Sequence, residues 1–201
     1  MISIENKVIF THPPRCGGTS FESLLGLPES GEHFEKYKHA SLTDHLNYIS
    51  ISKLDDIQFK KISIIRNPWA RMVSWFFFIK KRKNPFVKNT NFQKFVENSN
   101  FNQFVEYVNY NLEKQSLLKR PYSFYMCDKD IFRIDFIIRY ENYEHDIINA
   151  LKLLNISNIS NIPNMRSSCS PVNYRDYYSS KSKKIIENLY IQDIEFFKYL
   201  Y

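Results

Sequence analysis

Two segments of the chain carry residues suited to gripping an oxyanion. The first is Pro13-Pro14-Arg15-Cys16-Gly17-Gly18-Thr19-Ser20. Gly17 and Gly18 let the backbone turn its N–H groups toward one point, which makes a cradle for negative charge. Arg15 brings a permanent charge and a planar fork of donors that matches phosphate or sulfate oxygens. Thr19 and Ser20 add hydroxyl donors, and a helix starting near Thr19 turns its positive end to the same point. Pro14 and Cys16 fill out the loop. Cys16 reads as a small tolerated residue rather than a reactive thiol, although Arg15 and a helix end beside it are the features that lower a thiol pKa. The segment is not a standard nucleotide P-loop, which needs a Gly, four residues and then Gly-Lys-Ser/Thr. The plainer alternative is a strand-to-helix turn punctuated by Pro and Gly.

The second segment is Arg66-Asn67-Pro68-Trp69-Ala70-Arg71-Met72-Val73-Ser74. Asn67 suits a helix cap and Pro68 the first helical position. Ser74 lies eight residues after Arg66, about two turns into that helix. The plainer alternative here is a strand-to-helix connection with surface arginines. A proton acceptor would most readily be a histidine, whose pKa lies near neutrality. His33, His39 and His45 are all available between the two segments.

These residues need a frame to hold them. Residues 7–11 (KVIFT) and 61–65 (KISII) read as short buried strands, and 134–139 (IDFIIR) as a third. Helices are expected over 19–25, 41–49 with Ser41 as cap, 67–80, 92–97, 101–111, 143–154 and 179–199. Trp69, Met72, Val73 and Phe76 should face inward. Strands alternating with helices predict an α/β fold, a P-loop-like parallel sheet flanked by helices, in a single domain over residues 1–201. Ligands of such sheets bind beyond the carboxyl ends of the strands. Arg15 and Arg66 each lie just past such an end.

The chain has 201 residues, of which 43% are hydrophobic and 16% aromatic, a globular composition. The formal net charge of +7 favours anionic partners: nucleic acid, a nucleotide, an acidic glycan or an anionic membrane surface. Lys80-Lys81-Arg82-Lys83 is the densest basic run and reads as a solvated face. It stands apart from any interleaved basic and aromatic pattern, which argues against a nucleic-acid-binding module. Cys16, Cys127 and Cys169 are odd in number and lack metal-ligand spacing, which argues for a reducing compartment. The start, Met1-Ile2-Ser3-Ile4-Glu5-Asn6, lacks the features of a signal peptide. No apolar run approaches the roughly 20 residues of a membrane span. The expectation is a soluble, cytoplasmic protein without a metal.

Together the two segments resemble the motifs of the PAPS-dependent sulfotransferases (PAPS is 3′-phosphoadenosine-5′-phosphosulfate), in the bacterial carbohydrate-type, family 2-like branch. The loop Pro14 to Ser20 resembles that family's 5′-phosphosulfate loop, with Arg15 where Lys is usual. The second segment resembles its 3′-phosphate motif, which implies that Arg66 and Ser74 hold the 3′-phosphate. Lys38-His39-Ala40-Ser41 resembles a Lys-His segment of the branch, which implies that His39 is the general base and sets it ahead of His33 and His45. Asp135-Phe136-Ile137-Ile138-Arg139-Tyr140-Glu141-Asn142 and the C-terminal residues 174–178 and 193–199 extend the similarity. Two departures accompany the Arg15 exchange: Ser123-Phe124-Tyr125 lacks a Gln often found there, and Arg166 stands where Asn is common ahead of a Ser such as Ser168.

The resemblance implies transfer of a sulfuryl group from PAPS to an acceptor hydroxyl, on a carbohydrate, with PAP as product and no metal. It also implies that Arg66→Ala should spare a ligand lacking the 3′-phosphate. A P-loop-type nucleotide kinase is the alternative, but its Walker lysine and magnesium carboxylate are not evident. A non-catalytic nucleotide-binding protein is the other.

Overall fold

The computed structural model describes residues 1–28, 30–81, 90–156 and 173–201. Arg82 and Lys83 of the basic run, and Arg166, Ser168 and Cys169, lie outside the described residues. In chain order the elements are β1 (Ile2–Ser3), β2 (Val8–Thr11), α1 (Gly18–Leu24), α2 (Glu32–Tyr37), α3 (Leu42–Ile51), β3 (Lys60–Ile65), α4 (Pro68–Lys81), α5 (Thr90–Asn98) and α6 (Phe101–Asn111). Then come α7 (Ser123–Met126), β4 (Cys127–Asp128), β5 (Ile131–Phe132), β6 (Phe136–Arg139), α8 (Tyr143–Leu153), α9 (Ser180–Leu189) and α10 (Ile191–Phe197).

The chain divides into two compact units, Met1–Arg66 with Tyr122–Arg166, and Asn67–Pro121 with Ser167–Tyr201. The first contains a four-stranded sheet in the order β1-β2-β3-β6. β2, β3 and β6 run parallel, with Thr11 opposite Ser63 and Ile65 opposite Arg139. β1 pairs antiparallel on the outer edge of β2. Every residue of β2 and all but the first of β3 are buried, as expected of parallel strands covered on both faces. Successive side chains of a strand point to opposite faces. Ile9 accordingly joins Leu42, Leu46 and Ile49 of α3 and Phe59 in one core cluster. Phe10 points the other way and meets Phe21 of α1, edge to face at 4.8 Å.

Local chemistry starts the helices where it should. Ser41 and Asp44 form a reciprocal capping box at the head of α3. The Asn67 side chain accepts from the Trp69 and Ala70 N–H groups at 3.1 and 3.2 Å, so it caps α4 with Pro68 in the first turn.

The second unit is helical. Phe76 of α4 packs against Phe101 and Phe104 of α6, with ring centroids 5.7 and 5.4 Å apart. Arg71 is not a surface arginine: it is 1% exposed and donates through Nη2 to the Leu117 carbonyl at 3.3 Å. The helix expected over 179–199 is two helices. Tyr190 leaves helical geometry between α9 and α10 (φ −119°, ψ 27°), and its hydroxyl is tied to the Leu118 carbonyl. Apolar spacing continues across this break, so periodicity alone does not reveal it. Among the described residues no helix is long and apolar enough to cross a membrane.

Candidate active site

Because β2, β3 and β6 are parallel, their carboxyl ends share one edge of the sheet. The residues after each strand therefore converge: His12 to Gly17 after β2, Arg66 after β3 and Tyr140 after β6. The first of these segments is bent by two left-handed residues, Arg15 at φ +70° and Gly17 at φ +86°. Left-handed backbone suits Gly17 and is uncommon for a residue like Arg15. Side chains press on both glycines. A Cβ on Gly18 would lie 2.3 Å from Cγ of His12, and one on Gly17 would lie 3.0 Å from the Tyr140 ring. The Tyr143 hydroxyl also donates to the Gly17 carbonyl at 3.1 Å. Pro14, Cys16 and Ser20 are buried, Arg15 is half-buried and Thr19 is exposed.

Arg66 is held by three neighbours. Its Nη1 donates to the Arg15 carbonyl at 3.2 Å. Its guanidinium lies over the Tyr140 ring, 4.2 Å from the centroid, a cation–π arrangement. Its own carbonyl accepts from the Tyr122 hydroxyl. Ser74 is buried on α4, in the second unit.

His39 lies between α2 and α3, with its Nδ1 3.2 Å from the His12 carbonyl. A carbonyl only accepts, so Nδ1 carries the proton and Nε2 is left with its lone pair. Burial holds the His39 pKa well below its ordinary 6.5, helped by His12, Lys38 and the Met1 amino group and opposed by the bond to the His12 carbonyl. At neutral pH this imidazole is a neutral proton acceptor beside the loop. His45 is placed otherwise. It is fully buried, with Nδ1 2.7 Å from the Ser41 carbonyl and Nε2 2.6 Å from the Met1 nitrogen. His33 is on α2, and its side chain lies outside the described ones.

The sequence profile of the sulfotransferase family matches residues 1–200. The chain belongs to the sulfotransferase family. No curated protein sequence gives a significant match. Among solved structures, that of the mouse sulfotransferase SULT7A1 complexed with PAP superposes with a TM-score of 0.55 at 15% identity, over 96% of this chain and 86% of that one. At that identity the likeness establishes the fold, a parallel sheet flanked by helices.

In this sulfotransferase, the residues that composition and spacing missed are the ones that buttress the loop. Tyr122, Tyr140 and Tyr143 are three of fourteen tyrosines, and nothing in their local sequence separates them from core residues. His12 and Glu22 are ten residues apart and meet only because α1 folds back along β2 (Nε2 to Oε1, 3.0 Å). Tyr174 and Tyr177, from the C-terminal stretch that extends the resemblance, lie in the second unit. There Tyr174 meets the Tyr201 ring at 5.9 Å and Tyr177 the Phe77 ring at 5.3 Å.

Proposed function

We propose that this sulfotransferase takes its sulfuryl group from PAPS and delivers it to a hydroxyl of a carbohydrate, acting as one domain in the cytoplasm and without a metal. The observation that carries this reading is the bond from Arg66 to the Arg15 carbonyl, which ties the residue after β3 to the loop after β2. Two arginines at neighbouring strand ends suit a ligand with two separated phosphates. The loop from Pro14 to Ser20 holds the 5′-phosphosulfate, and Arg66 with Ser74 holds the 3′-phosphate. The mouse relative, crystallised with PAP, supports this choice of nucleotide, and a net charge of +7 supports an anionic donor.

The reaction requires the acceptor oxygen, the sulfur and the leaving oxygen to lie in line. A new bond forms between sulfur and the acceptor oxygen. The bond from sulfur to the bridging phosphate oxygen breaks, and its electron pair stays on the 5′-phosphate of PAP. The acceptor proton passes to Nε2 of His39. Arg15 and the loop N–H groups stabilise charge where it builds, on the leaving phosphate. Arg15→Ala should therefore lower kcat more than it raises the donor KM, and Arg15→Lys should keep partial activity. A pure KM effect in Arg15→Ala would show that Arg15 only binds.

Calorimetry with chelator present tests the donor. PAP should bind without added metal. Binding of ATP–magnesium with no binding of PAP would favour the kinase alternative instead. A panel of glycans incubated with labelled PAPS tests the acceptor class.

A further inference from the structure

Behind the loop lies a pair of buried ionisable groups that the reaction above does not use. Glu22 of α1 is 1% exposed and His12, directly after β2, is 2% exposed. Glu22 Oε1 lies 3.0 Å from His12 Nε2, while Glu22 Oε2 and His12 Nδ1 have no hydrogen-bond partner among the described residues. Burying a carboxylate is costly unless its charge is answered, and apolar residues of similar volume often replace such a pair without loss of stability. Space-filling is therefore a poor reason for it. Burial pushes the Glu22 carboxyl up, yet the charge and hydrogen bond of His12, with the Met1 amino group and Lys38 behind them, hold it below the usual carboxylate range. Glu22 thus stays ionised at working pH and gives the His12 Nε2–H a charged acceptor.

What the pair holds is visible in the packing of His12. One face of its ring stacks on Phe10, with centroids 5.3 Å apart and planes 19° from parallel. Gly18 packs so closely that no Cβ fits there. The His39 ring meets it edge to face, with centroids 4.6 Å apart at 78°. His12 therefore touches His39 twice, through its ring and through the carbonyl that receives Nδ1–H. Glu22 supplies the hydrogen bond that, with this packing, sets the angle of the His12 ring.

We propose that Glu22 and His12 are positioning residues for His39: Glu22 locks the His12 ring behind the loop, and His12 holds His39 in the tautomer whose Nε2 accepts the proton. This rests on the reading of His39 as the base. Without an acceptor at Glu22 the His12 ring loses the hydrogen bond that sets its rotation and keeps only its packing on Phe10 and Gly18, so the edge contact that confines the His39 imidazole loosens. The His39 ring then samples orientations in which Nδ1 no longer reaches the carbonyl, and the fraction with Nε2 available falls.

The test uses the full chain labelled with ¹⁵N in its histidines and saturated with PAP, alongside PAP release from PAPS with an unsulfated polysaccharide as acceptor. In the wild type, His39 should show a protonated Nδ1 and an unprotonated Nε2, and His12 a protonated Nε2. Glu22→Met should give a mixture of His39 tautomers and lower kcat by about tenfold or more, a part of what a general base supplies, with the PAP Kd held within about twofold. Glu22→Gln, which keeps a hydrogen-bond acceptor in place, should restore most of both. If His39→Ala loses turnover while folded Glu22→Met keeps the wild-type tautomer and rate, the positioning role is wrong and the base assignment stands. If His39→Ala keeps turnover, the base assignment itself fails, and the positioning role with it. Should Glu22→Met not fold, the wild-type spectrum still decides: His39 protonated on Nε2 would overturn the proposal.

Discussion

Arg66 stands directly after β3, beside the loop that follows β2. In the proposed function it binds the 3′-phosphate, and in the structure it also donates to the carbonyl of Arg15. A charge-assisted hydrogen bond contributes about 1.5–3 kcal/mol and a neutral one about 0.5–1.5 kcal/mol. Arg66→Ala should therefore weaken PAP roughly tenfold or more. It should also weaken adenosine-5′-phosphosulfate by about two- to tenfold, because the loop loses a tie. The sequence alone implies that this shorter ligand is spared; the tie to Arg15 is what changes the expectation. Calorimetry with both ligands checks it. An unchanged affinity for the shorter ligand would show that the bond does not shape the loop, and an equal loss for both would remove the 3′-phosphate from the site. At this scale Arg15 and Arg66 stand out in the sequence as arginines beside Pro, Gly and Asn just after apolar runs, whereas His39 is set ahead of His33 and His45 only by the resemblance at Lys38-His39. Tyr140 and the His12–Glu22 pair do not stand out, because each acquires its role from a partner distant in the chain.

Loops and helices constrain one another through a few tight places. Gly18 is one: an alanine there would push its Cβ to 2.3 Å from the His12 ring, and the ring is held by Phe10 and Glu22. Overpacking of this kind costs about 1–3 kcal/mol. Gly18→Ala should lower the melting temperature by roughly 2–12 °C and loosen PAP binding, and a melt within a degree of wild type would show that His12 has room to yield. The capping box at α3 is another. Ser41→Ala should cost about 1 kcal/mol, read as a melting shift of about 2–4 °C. The strands of the parallel sheet are legible as apolar runs, and the observed β2, β3 and β6 fall within two residues of them at either end. The two-residue strands β1, β4 and β5 are too short to carry a period, and the break at Tyr190 is set by a bond to Leu118 rather than by local propensity.

For the molecule as a whole, buried titratable groups near the loop set an acid limit. The His39 pKa is lowered by burial, so the fold favours the neutral ring. Above the ordinary value of 6.5 both folded and unfolded chains hold His39 neutral, and its contribution to stability is fully present. As pH falls below 6.5 the unfolded chain takes up the proton first, so that stability is lost until the folded value is reached. Glu22, held below its ordinary 4.5, adds a loss of the same sign at lower pH. The urea midpoint should therefore drop as pH falls from 6.5, and His39→Gln should flatten that slope; an unaltered slope would mean that His39 titrates normally. The same depression keeps the base neutral, so kcat should hold its plateau to below pH 6.5 before falling. The central claim is sulfuryl transfer from PAPS with His39 as proton acceptor, and one comparison reaches it most directly: labelled PAPS and a glycan panel, with wild type and His39→Ala side by side. The account predicts labelled glycan and stoichiometric PAP from the wild type. It predicts a rate about 100- to 10,000-fold lower from His39→Ala, at nearly unchanged PAP affinity. Wild-type turnover from His39→Ala, or no labelled product from a wild-type protein that binds ATP–magnesium and not PAP, would contradict it.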